Sequence, residues 1–76
     1  MAAHPIAQYS EIPLNEYELK SVRALVAYAA HTKSIHEDTV SEIMRTRFSV
    51  PEITNLRQKD YDDAVCFLID FSETFN

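Results

Sequence analysis

No glycine occurs among the 76 residues, and that absence constrains the fold more than any residue that is present. Tight two-residue hairpins depend on glycine to carry a positive φ. A sheet protein this short needs such turns, whereas helices joined by short loops do not. Hydrophobic residues make up 46% of the chain, too many for a disordered polar segment. The chain therefore reads as all-α, a small compact bundle of three longer helices and one short helix with no sheet. Its length supports one domain with one small core. Residues 1–14 form an expected extended N-terminal arm and residues 15–76 a single helical domain.

The arm carries Pro5 and Pro13 among scattered apolar residues without helical period, and Tyr9, Ile12 and Leu14 are candidates to pin it to the core. Asn15 with Glu18 forms a capping-box signature, and Leu14 with Leu19 forms a hydrophobic staple, so the first helix starts there. Its core face is Leu19, Val22, Val26 and Ala29, widened by Leu25 and Tyr28, and the pattern fades near His31 and Thr32. Ser34 with Glu37 repeats the cap signature ahead of Val40, Ile43 and Met44. Ser49 with Glu52 repeats it again ahead of a short helix marked by Ile53 and Leu56. Asp60 with Asp63 opens the last helix, whose core stripe is Tyr61, Ala64, Val65, Leu68, Phe71 and Phe75.

That closing helix is the main functional clue. A helix packed on one side needs an apolar arc of about 100°, yet Ala64 through Ile69 is apolar in every direction and Phe71 and Phe75 extend the surface. A four-helix domain this small has difficulty surrounding one of its own helices. A contact with a second molecule through Phe67, Ile69, Phe71 and Phe75 is therefore the favoured reading, over central burial of the helix.

Twelve acidic against seven basic residues give a formal charge of −5, which argues against broad adhesion to nucleic acid or anionic membrane. The charges are blocked, however. Arg45, Arg47, Arg57 and Lys59 stand against Glu52 alone in residues 45–59, a candidate patch for an anionic partner or for DNA in a helix-turn-helix-like setting. An acidic inhibitor of a nucleic-acid-binding protein is a further alternative. The absence of any run near 18 apolar residues excludes a membrane span. Met1 to Pro5 lacks the features of a secretion signal and one cysteine forms no internal disulfide, so a cytoplasmic protein is expected.

Catalytic chemistry finds no support. A glycine-free chain has no phosphate-binding glycine loop, and none of its serines stands in a nucleophile motif. His31 and His36 lie five residues apart rather than at the i, i+4 spacing of a helical zinc pair. Cys66 sits among apolar neighbours and is expected in the core. Asp60, Asp62 and Asp63 lack the glycine and distal glutamate of a calcium loop. The expectation is a non-enzymatic protein with no cofactor, no metal, no small-molecule substrate and no membrane contact. Its partner is a protein, with a second copy of the chain as one candidate.

Residues 47–68 carry a resemblance. Arg47-Phe48-Ser49-Val50, then Ile53 and Leu56, then Asp60 through Val65 and Phe67-Leu68 resemble the carboxy-terminal helical domain of phage antirepressor proteins. That family's pattern is a basic-aromatic-x-valine turn, a short link, and an acidic-aromatic start to a closing helix that ends in Phe-Leu. The turn usually has glycine where Ser49 stands. The resemblance extends loosely over residues 15–73. It implies a phage or other mobile-element origin, an all-α accessory domain, and protein association in the control of DNA transactions, with no catalytic residue.

Overall fold

The computed structural model describes residues 12–74, and over them the protein is an all-α bundle. Helix α1 spans Glu16–Lys33, α2 spans Glu37–Phe48 and α3 spans Tyr61–Glu73; two single 3-10 turns, Ile53–Asn55 and Gln58–Asp60, lie between α2 and α3. The expected short helix is thus a pair of turns. The arm through residue 11, with Pro5 and Tyr9, and the terminal Phe75 lie outside the described residues.

Helix α1 begins as its cap signature predicts. The Asn15 Oδ1 accepts from the Glu18 N–H at 2.8 Å, and the Glu18 carboxylate accepts from the Asn15 N–H at 2.9 Å. This reciprocal pair occupies two amides that have no partner inside the helix. Val22, Val26, Ala29 and Ala30 are buried, Leu19 and Leu25 are half-buried, and Tyr28 lies outside the core face.

The next two boundaries differ from expectation. Ser34 and Ser49 do not start helices; they end them, at φ 59° and φ 56°. The N–H of Ile35 donates to the Ala30 carbonyl at 2.9 Å, and that of Val50 to the Arg45 carbonyl at 3.0 Å. Both are the six-to-one bond of a Schellman ending, in which a left-handed residue lets the chain reverse over the last carbonyls. Glycine normally takes that position, and a residue with a Cβ costs roughly 1 kcal/mol more there. In a glycine-free chain serine takes the role, so the usual stop signal is missing and the same residues imitate a start. Helix α2 then begins after His36 without a side-chain cap bond.

Asp60 also acts differently from expectation. Its carboxylate does not cap α3 but accepts from the Arg57 N–H and from Arg57 Nε–H, each at 3.2 Å, closing the second 3-10 turn. Asp62 and Asp63 remain in the first turn of α3, where they complement the positive end of the helix dipole.

Two chain crossings set the direction of the bundle. The Leu14 N–H donates to the Leu56 carbonyl at 3.2 Å, and the Gln58 N–H donates to the Ile12 carbonyl at 2.8 Å. They flank an isolated antiparallel bridge between Pro13 and Arg57, a pairing that needs no N–H from proline. The entrance of α1 is thereby tied to the segment leading into α3. At the other end Lys33 Nζ donates to the Thr74 carbonyl, so α1 and α3 run in the same direction while α2 doubles back. Inside lie Val22, Val26, Ala29, Ala30, Val40, Met44, Val50, Leu56, Ala64 and Leu68. The one buried polar side chain among the described residues, Ser72, donates its hydroxyl to the Leu68 carbonyl at 2.8 Å.

Candidate protein-interaction face

Among the described residues, the buried core holds no aromatic side chain. Phe48, Tyr61, Phe67 and Phe71 are half-buried and packed against it, while Tyr17 and Tyr28 are exposed. Phenylalanine is ordinarily among the most buried residues. Here the interior is closed with valine, alanine, leucine and methionine, and the rings are left at its margin.

Three of those rings form one continuous feature. Phe67 and Phe71, four residues apart on α3, stack with centroids 6.1 Å apart and planes inclined by 24°. The Arg47 guanidinium, from the last turn of α2, lies 5.0 Å from the Phe67 centroid and 5.8 Å from that of Phe48. Lys33 Nζ, from the last turn of α1, lies 5.6 Å from the Phe71 centroid. The order along the surface is Phe48, Arg47, Phe67, Phe71, Lys33, a ladder with a cation near each end. Each cation–ring contact at such an exposed site contributes about 0.5–1 kcal/mol. Beside it, Glu42, Ile43, Thr46, Arg47 and Phe67 line a shallow, mainly apolar groove.

The residues singled out from the sequence divide between places. Phe67 and Phe71 belong to the ladder. Ile69 is 41% exposed and lies about 160–200° around α3 from both rings. Phe75 lies outside the described residues. Enclosure of the whole helix is not what forms: Ala64, Leu68 and Ser72 alone are buried along α3. Cys66, expected in the core, is exposed, because the helical turn carries it to the same side as Ile69 rather than to that of Ala64 and Leu68.

The basic block divides as well. Arg45 and Arg47 are about 200° apart on α2. Arg45 shares a groove with Arg23, Glu37, Asp38 and Glu52, whereas Arg47 lies on the aromatic ladder. Arg57 is engaged by Asp60 in the one ion pair formed among the described residues. Lys59 is exposed on the second 3-10 turn. Lys33, which completes the ladder, was missed from the sequence; its signal was that it falls in the last turn of the first helix, where a long cation can reach a neighbouring helix end.

His31 and His36 line a shallow exposed pocket with Ile35, Glu37 and Asp38, and no group of three or more metal-ligating side chains forms among the described residues. No described helix is long and apolar enough to cross a membrane. Comparison of the chain with protein-family models, curated proteins and solved structures gives no match.

Proposed function

We propose that this chain is a small non-enzymatic interaction protein whose docking face is the aromatic ladder of Phe48, Phe67 and Phe71 with its cations Arg47 and Lys33. The observation that carries this reading is the placement of every described ring outside the buried core, with three of them contiguous beside an apolar groove. Aromatic side chains and arginine are the residues that concentrate binding energy at protein interfaces. The half-buried rings are anchored by the core beneath them, so little conformational freedom is lost when a partner covers them.

The resemblance of residues 47–68 to the antirepressor domain extends the proposal to its setting, a phage or other mobile element in which protein association controls DNA transactions. Ser49, which stands where that family usually has glycine, holds a left-handed backbone that glycine adopts most readily. Direct DNA reading draws less support, because the four basic residues do not line one surface.

Co-purification from the cells that produce the protein tests the reading. A partner retained by the wild type and by a Tyr28→Ser control is expected to be lost with Phe67→Ser. Equal retention by all three overturns the assignment of the face.

A further inference from the structure

The other side of α3 is complementary to the ladder. Asp62, Cys66, Ile69 and Glu73 recur at i, i+4, i+7 and i+11, one stripe along the helix, and all four are exposed. Asp63 and Asp70 flank it and are exposed too. None of these four aspartates and glutamates forms an ion pair with another described residue, and neither Arg47 nor Lys33 does.

The two surfaces also match in order and length. The ladder reads cation, ring, ring, cation, with successive spacings of 5.0, 6.1 and 5.6 Å. The stripe reads acid, thiol, isoleucine, acid. From Asp63 to Asp70 is about 10 Å and from Asp62 to Glu73 about 16 Å at 1.5 Å per residue, which brackets the distance the ladder can span between its cations. Laid along the ladder, the stripe would set Cys66 and Ile69 over the rings and groove, and its carboxylates near Arg47 and Lys33. Glu42, which lines the groove, is an acid that opposes this arrangement.

Resting on the docking role of the ladder, we infer that its occupant is the acidic Ile69 face of α3 from a second copy of the chain. Because the two faces lie on opposite sides of α3, the contact joins unlike surfaces. Two copies cannot satisfy both at once, so association continues head to tail instead of closing as a symmetric dimer. The interface is one helix stripe against one groove, at the small end of specific interfaces, and its charge pairing makes it sensitive to salt.

Sedimentation equilibrium on the purified full chain from about 10 μM to about 1 mM tests this, in the concentration range of a weak interface. The expected result is an average mass that climbs past that of a dimer and falls back in about 0.5 M sodium chloride. Arg47→Glu reverses one of the ladder's two cations and Ile69→Lys removes the knob; both side chains are exposed, and circular dichroism should show both variants folded. Each alone should require at least about ten-fold higher concentration to associate. Mixed in equal amounts they should form a discrete one-to-one dimer, since each retains the face the other lacks. A monomer at every concentration, or a wild-type dimer that neither grows nor is restored by mixing, overturns the inference. In either case the co-purification test decides separately whether the ladder docks a different protein.

Discussion

The interior and the aromatic margin of this protein are built from different residues. Met44, Leu56, Leu68, Val22 and Val40 are the largest fully buried side chains, flexible or branched aliphatics that fill the space between three helices without a polar atom to satisfy. The margin is Phe48, Tyr61, Phe67 and Phe71, each packed on the core by one side only. A small bundle can close itself with aliphatic residues and leave its largest apolar surfaces half-covered. The difference separates what holds the chain together from what is available to a partner.

Substitutions can break or sharpen that division. The largest effect on stability is expected for Met44→Ala, about 2–5 kcal/mol lost to transfer and cavity terms, read as the shift of the urea midpoint. A domain of this size has a margin on the order of 5 kcal/mol, so such a variant would be close to unfolding. A loss below about 1 kcal/mol would remove the distinction from the interior side.

Phe67→Ala comes next, with a loss of about 1–2 kcal/mol because the ring is only partly buried. Its effect on partner retention should exceed its effect on folding. The reverse ranking, a collapse of stability as large as that of Met44→Ala, would make Phe67 an interior residue in energetic terms.

Ser49→Gly is expected to stabilise by roughly 0.5–1 kcal/mol, since glycine takes φ 56° without the Cβ clash, less the entropy it adds to the unfolded chain. Ser49 joins Phe48 of the margin to Val50 of the interior, so thermal unfolding of this variant measures what the turn between the two regions costs. The smallest change belongs to Arg57→Gln, below about 0.5–1 kcal/mol, because the Arg57–Asp60 pair is partly solvated. It should leave partner retention unaltered, and loss of the partner would draw the 3-10 turns into the docking face.

Much of the fold was legible. The Asn15–Glu18 box starts α1 as read, and Val22, Val26, Ala29, Val40 and Met44 are buried at their periodic positions. Caps that depend on φ were not: Ser34 and Ser49 carry the same side chain whether they open a helix or close one, and only the backbone distinguishes the two. Asp60 has the spacing of an N-cap, yet Arg57 offers two donors closer to hand.

For the candidate site, periodicity alone sets Phe67 and Phe71 on one side of α3 and Cys66 with Ile69 on another. What periodicity does not say is which side meets the other helices, and Cys66 was misassigned for that reason. Local chemistry determined where helices form, which residues are apolar enough to pack and where charge accumulates, because those properties act over one or two turns of chain. The tertiary structure decided that Arg47 and Lys33, from the ends of two helices, meet the rings of a third and that Arg45 and Arg57 go elsewhere. Those encounters join residues far apart in the chain, and their geometry is set by packing of the whole bundle around Leu56 and Leu68.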